Sequence, residues 1–110
     1  MRSCKTTIHT YNVHMDVEFE WDKRKASANI KKHGIAFEEV RTVFFDEFAT
    51  VYHDPDNSDE EDRFLLLGNS YKLNTLVVCH CFRESESKIR IISARKADQL
   101  ERIEYWSNRK

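Results

Sequence analysis

Three neighbouring segments, "RFLLLGN" (63–69), "TLVVCHCF" (75–82) and "KIRIISA" (88–94), limit what this chain can fold into more than any other feature. Each is a short run rich in Leu, Val, Ile or Phe and bounded by polar or turn-forming residues, the pattern of β-strands. Two more strands are expected at "FATVYH" (48–53) and at "VEFEW" (17–21), where Val17, Phe19 and Trp21 alternate with Glu18 and Glu20. Helical signals lie between and after them. Asp22 suits the N-cap of a helix through "KRKASANIKKH", Gly34 suits its end, and "FEEVRTVFF" reads as a second helix. Asp98 and Glu101 form a capping box that opens a last helix, in which Leu100, Ile103 and Trp106 make an apolar stripe. The order is one strand, two helices, four strands and one helix. Strands grouped apart from helices predict an α+β fold, with an antiparallel sheet carrying helices on a face or end.

A chain of 110 residues is one domain, and one Pro with two Gly leaves no room for a flexible linker. No apolar stretch approaches the roughly 18 residues of a membrane helix, and "MRSCKTTIHTYNVH" lacks the apolar core of a secretory signal, so no membrane association and a cytoplasmic location are expected. Cys4, Cys79 and Cys81 are too few and odd in number for a disulfide scaffold, which agrees with a reducing compartment. The net charge of −1 conceals an asymmetry. Residues 1–34 carry seven Lys/Arg against four Asp/Glu, residues 35–62 one against ten, and residues 63–110 ten against five. Much of the acid sits in "DPDNSDEED" (54–62), so a basic surface can exist elsewhere.

If residues 75–83 and 88–95 form a hairpin around "ESES" with Arg83 opposite Lys88, opposed pairs share a face. One face then collects Phe82, Ile89, His80, Ile91, Val78 and Ser93 and reads as core. The other collects Arg83, Lys88, Cys81, Arg90, Cys79 and Ile92, bringing three cations together near the turn. Such a cluster is either a solvated outer face or a surface that an anionic partner screens. On the last helix Asp98, Arg102, Tyr105 and Arg109 lie at helical spacing apart from the apolar stripe, and a Tyr flanked by two Arg can stack on a base while the cations meet phosphate. Trp21, Lys25, Asn29 and His33 recur every four residues: either the Trp packs and the others solvate or cap the helix, or Lys25 and His33 face an anion.

Other constellations are weaker. In "CHC" (79–81) a strand sends His80 to the face opposite both cysteines, and no further cluster completes four ligands, so no metal is expected. His80 reads as a core histidine in competition with a general base, and Glu101 as a cap residue in competition with an acid–base carboxylate. The acidic stretch departs from a calcium loop, with Asp59 in place of the sixth-position Gly and Leu65 in place of the final Glu. No Gly-rich phosphate loop is present.

"FEWDKRKASANIKKHGIAFEEV" resembles the opening signature of the BrnT toxin family, in which a Trp-Asp, a Lys-Ala, an Asn and a Lys-His-Gly precede Phe-Glu-Glu. "RFLLLGNS", "LVVCHCFRE" and "IRIISARKADQLERIEYW" resemble the remaining pattern in order, so that the similarity spans residues 17–106. The resemblance implies a single toxin domain over residues 15–110 with a RelE-like fold, preceded by an extension at 1–14 that has no counterpart and is expected to be poorly ordered. It also implies the toxin of a bacterial type II toxin–antitoxin system: an endoribonuclease working without metal or cofactor on an RNA substrate. A cognate BrnA-like DNA-binding antitoxin would neutralise it in a toxin–antitoxin hetero-oligomer and be its only link to operator DNA. Cleavage of this kind needs the ribose 2′-OH to attack the adjacent phosphate while cations stabilise the transition state and a side chain moves the proton.

Arg83, Arg90 and Arg95 match the family's basic positions as phosphate binders and transition-state stabilisers, with Glu84 or His80 for proton transfer. Lys25, Lys88, Arg102 and Tyr105 join them as RNA contacts. Two departures from the pattern are Ala36, where a helix N-cap worth on the order of 1 kcal/mol is lost, and Lys96 in place of Arg. A catalytically silent module that only binds an antitoxin and tunes operon repression is the competing reading. The acidic segment is expected on the surface away from RNA, facing a basic stretch of the antitoxin or of a second toxin copy.

Overall fold

The computed structural model describes residues 17–57, 61–83 and 87–109. The elements run β1 (Glu18–Glu20), α1 (Lys23–His33), α2 (Phe37–Arg41), β2 (Thr50–His53), β3 (Phe64–Asn69), β4 (Thr75–Arg83), β5 (Lys88–Lys96) and α3 (Gln99–Asn108). Residues 1–14, for which an extension is expected, lie outside the described residues. The five strands form one sheet in the order β1-β5-β4-β3-β2. Neighbours are antiparallel except β1, which joins β5 in parallel register, Glu18 beside Lys88 and Glu20 beside Arg90. The fold is therefore α+β, as expected, with one parallel pair at its edge. No helix among the described residues is long and apolar enough to cross a membrane.

Alternation along the strands sorts their side chains onto two faces. Leu66, Leu76, Val78, Ile89, Ile91 and Ala94 join Phe37, Val40, Val43 and Phe44 in the main core. Leu67 and Val77 point the other way and pack with Tyr105 of α3 in a smaller cluster, so the sheet is covered by different helices on its two sides. The second predicted helix proves shorter than "FEEVRTVFF": after Arg41 the chain tightens into a 3-10 turn, Thr42–Phe45. Gly68 of β3 leaves room for Val43 of this turn and for Ala49 beyond it, since a Cβ there would stand 2.8 Å from Ala49 Cβ and 3.0 Å from Val43 Cγ1.

Two expectations about faces are corrected. The β4–β5 register holds from Arg83/Lys88 through His80/Ile91, then shifts at Cys79/His80, so that Ser93 pairs with Cys79 and Ala94 with Val78. A bulge leaves Ile92 of β5 without a partner on β4, and Ala94 rather than Ser93 is buried in the core. The α3 stripe does not face the core either: Leu100, Ile103 and Trp106 are 77%, 55% and 44% exposed. Tyr105 is the buried residue of α3, and its hydroxyl donates to Asp46 Oδ2 at 2.5 Å. Asp46 also accepts from Asn69 N at 2.8 Å and Phe48 N at 3.0 Å, fixing the helix through a carboxylate 59 residues away.

Candidate functional site

The signature residues of the first half are structural clamps. Trp21 stacks edge-on against Phe37 at 5.8 Å, and the Asp22 carboxylate caps α1 by accepting from Arg24 N and Lys25 N. Gly34 ends the helix with φ +72°, a conformation that strains any residue with a Cβ. Buried Asn29 accepts from Ala94 N at 3.0 Å and donates to Ile35 O at 3.0 Å, bolting α1 to β5 just past the bulge, where β1 no longer covers that edge. Buried Glu39 accepts from Ser70 Oγ at 2.6 Å and Asn74 Nδ2 at 2.7 Å, holding the β3–β4 turn. Of the Trp21, Lys25, Asn29 and His33 series, the packing reading therefore describes Trp21 and Asn29, while Lys25 remains exposed.

A charged cluster forms at the β4–β5 hairpin end, on the face opposite the main core. Arg90 Nη1 donates to Glu20 Oε2 at 2.7 Å, and Lys88 Nζ lies 3.8 Å from Glu20 and 3.6 Å from Glu18. The Arg90 hydrogen bond, together with the charges of Arg90, Lys88 and Arg83, holds the Glu20 carboxyl below the usual carboxylate range. Lys25, exposed on the first turn of α1, stands apart from this cluster, beside Ile92 and Ser93 further along β5. Arg83, Lys88 and Arg90 thus bring positive charge to one side of the sheet, with ionised Glu20 among them. Such an arrangement can hold a phosphodiester and supply a carboxylate to accept a proton.

The other sequence-predicted residues do not join this cluster. Arg95 pairs with Val77 across the sheet, six residues along β4 from Arg83, a span of about 20 Å. Its guanidinium is held in a two-pronged ion pair with Glu101, at 2.8 and 2.9 Å. This corrects the expected convergence of Arg83, Arg90 and Arg95. Arg102 is exposed on α3, which packs at the opposite end of the sheet. Tyr105 is fully buried, its phenol pKa raised by burial and by the Asp46 bond, so the expectation that it stacks on a base is corrected.

His80 is 0% exposed, boxed by Phe44 at 4.9 Å, Phe82 at 5.8 Å and Phe64 at 6.1 Å, and it donates from Nδ1 to Val78 O at 3.1 Å. It is a core histidine, and the proton-transfer role expected of it is corrected because no substrate can reach the ring. Glu84 lies outside the described residues. Glu101 is a cap: Asp98 and Glu101 exchange the two bonds of a capping box. The acidic segment was expected away from the basic surface, yet Glu61 approaches Arg63 to 3.9 Å and its charge, after burial, raises the pKa of the Cys81 thiol, which lies opposite Arg90. Acid therefore borders the cations.

Glu20 is the residue that sequence reasoning missed. The alternation of "VEFEW" sets Glu18 and Glu20 on one side, but only the β1–β5 pairing brings that side to Lys88 and Arg90.

Residues 21–101 match the family model described as "Ribonuclease toxin, BrnT, of type II toxin-antitoxin system". The chain belongs to the BrnT ribonuclease toxin family. The crystal structure of the Brucella abortus ribonuclease toxin, BrnT, is similar at 27% identity, covering 76% of this chain and 99% of that chain with a TM-score of 0.57. No curated protein matches. BrnT membership makes this chain a ribonuclease toxin of a type II system, with an antitoxin as partner and RNA as target. The matched region contains the structural clamps of α1 and α2 and the cations Arg83, Lys88 and Arg90, while Glu20 lies one residue before it.

Proposed function

We propose that this toxin cuts RNA without a metal, at the hairpin end of its sheet. The observation that carries the reading is the gathering of Arg83, Lys88 and Arg90 around Glu20. An RNA phosphate entering here competes with Glu20 for the Arg90 guanidinium and the Lys88 ammonium. As the cations turn to the phosphate, Glu20 loses the contacts that hold its pKa down and becomes a better base. It then takes the proton of the ribose 2′-OH while that oxygen bonds to phosphorus. The bond to the 5′-oxygen breaks, and the leaving oxygen takes up a proton. The cations offset the charge that builds on the phosphoryl oxygens. The products are a 2′,3′-cyclic phosphate and a 5′-hydroxyl end.

The same reading places the toxin in the cytoplasm, silenced there by a BrnA-like DNA-binding antitoxin that alone contacts operator DNA. A second reading, a silent antitoxin-binding module, draws on the ion pairs that engage Arg90 with Glu20 and Arg95 with Glu101. Incubating antitoxin-free protein with RNA in EDTA separates the two. The catalytic reading expects cleavage with cyclic phosphate ends, reduced about 100-fold or more in Arg90→Ala and Glu20→Gln. Intact RNA with the folded wild-type protein refutes it and leaves the silent module.

A further inference from the structure

Helix α1 holds positive charge that the cluster at the hairpin end does not use. The helix carries five Lys/Arg and His33 in eleven residues and no carboxylate. Lys88, Arg90 and Arg95 are each held by a glutamate, but neither Lys25 nor Lys32 has an ion pair among the described residues. Helix stability explains only one of these two lysines. Lys32 sits in the last turn, where the macrodipole favours a cation, whereas Lys25 sits in the first turn, where the dipole opposes it.

Lys25 and Lys32 stand two turns apart on one side of α1, about 10 Å along the axis, with exposed Ala28 between them. Together with His33 they line a cleft of about 300 Å³, whose facing wall is Ile92 and Ser93 of β5. The bulge shapes this wall. β1 stops pairing at Arg90, Ile92 has no partner on β4, and exposed Ser93 lies opposite Cys79. Cys79 and Cys81 are two residues apart on β4, so Ser93 and Arg90 occupy successive outward positions, about 7 Å from one another. That is the scale of one nucleotide step along an extended strand.

The chemistry of the lining selects the occupant. A protein partner needs apolar or aromatic anchors at the centre of its contact, and the cleft offers only Ala28 and half-buried Ile92. Ammonium groups on flexible stems beside a small side chain suit a sugar-phosphate backbone, which they hold by charge without reading sequence. Asp22 lies beside the path, but its carboxylate already accepts from two helix amides and faces the charge of Arg90, which offsets its repulsion of a phosphate. We propose that the cleft between α1 and β5 is a second phosphate seat, in which Lys25 and Lys32 hold the RNA strand next to the link that is cut. This rests on the reading that RNA is cut at the hairpin end, and it gives the two lysines a substrate-holding role, not a catalytic one.

The test uses full-length, antitoxin-free protein and two probes of one sequence: a short single-stranded RNA, and its 2′-O-methyl counterpart, which binds but lacks the nucleophile. Lys25→Ala combined with Lys32→Ala suits a helix and should keep the wild-type circular dichroism. The double variant is expected to raise KM for the RNA about 10-fold with kcat within about twofold, because the bond is broken at the hairpin end. On the uncleavable probe, read by anisotropy, the wild-type slope of log Kd against log salt should be about 3.5, and the double variant should lose about 1.4 of it, two phosphate contacts at about 0.7 each. An unchanged slope with KM within twofold of the wild type overturns the seat, and cleavage by the wild type then leaves the toxin reading intact. Intact RNA with the wild type overturns the cutting reading, and the uncleavable probe still decides whether the two lysines hold RNA. Weaker binding of the double variant to the purified product of the adjacent gene, or dissociation of a dimer, with RNA binding unchanged, assigns the cleft to an acidic stretch of the antitoxin or of a second copy and refutes the proposal.

Discussion

Burial of His80 predicts a specific loss of stability in mild acid. Its ring has no exposure and its pKa is pushed down to about 4, because burial disfavours the charged imidazolium more than the Val78 carbonyl bond supports it. In the unfolded chain the same group titrates near 6.5. Above that pH neither state binds the proton, and the stability due to the neutral ring is fully present. As pH falls from 6.5 towards 4 the unfolded state takes up a proton that the native state refuses, so stability is lost at about 1.4 kcal/mol per pH unit. The loss is about 2 kcal/mol by pH 5 and about 3 kcal/mol once pH 4 is reached, a large share of the 5–15 kcal/mol typical of a domain.

Urea unfolding followed by the fluorescence of Trp21 and Trp106, from pH 7.5 to 4.5, measures it. His80→Leu provides the reference: its packing cost does not depend on pH, and the carboxylates held low by partners, Glu20 and Glu101, titrate alike in both proteins. The stability difference between wild type and His80→Leu should shift by 2–3 kcal/mol against the wild type across that range, by the same linkage estimate of about 1.4 kcal/mol per pH unit. A difference constant to within about 0.5 kcal/mol, the usual size of a surface-substitution effect, would show that the ring is charged or hydrated in the folded protein. It would also reopen a catalytic role for His80.

Further outcomes follow from the same contacts. Asn29→Ala strands the Ala94 amide and the Ile35 carbonyl in the interior and should cost about 2–4 kcal/mol in denaturant unfolding, since each orphaned polar group costs about 1–3. Glu101→Gln weakens both the capping box and the Arg95 pair; partial exposure screens the pair, so a loss of about 1 kcal/mol is expected, with RNA cleavage retained because Arg95 lies far from the cluster. RNA binding through Arg83, Lys88 and Arg90 should weaken with salt at a slope of about 2 in log Kd against log salt, read by fluorescence anisotropy. A slope near zero would remove phosphate contacts from the account.

Local chemistry carried much of this protein. Strand periods, the Asp22 cap, the left-handed Gly34 and the Asp98–Glu101 capping box are each written within a few residues, so α1, α3 and all five strands could be placed from the sequence, with edges off by a residue or two. The three-cation grouping at the hairpin end was legible too, because opposed residues follow from a short turn, until the bulge beyond His80 changed the register. What pairs across long separations was not. Glu20 finds Arg90 seventy residues on, Asn29 finds Ala94 at sixty-five, and Asp46 finds Tyr105 at fifty-nine. Those partners depend on strand order and helix docking, which are decided by how all the apolar faces close at once. For the same reason an apolar stripe on α3 could show that one side of the helix avoids water, but only the tertiary structure could show that Tyr105 occupies the sheet while Leu100 and Ile103 face outward.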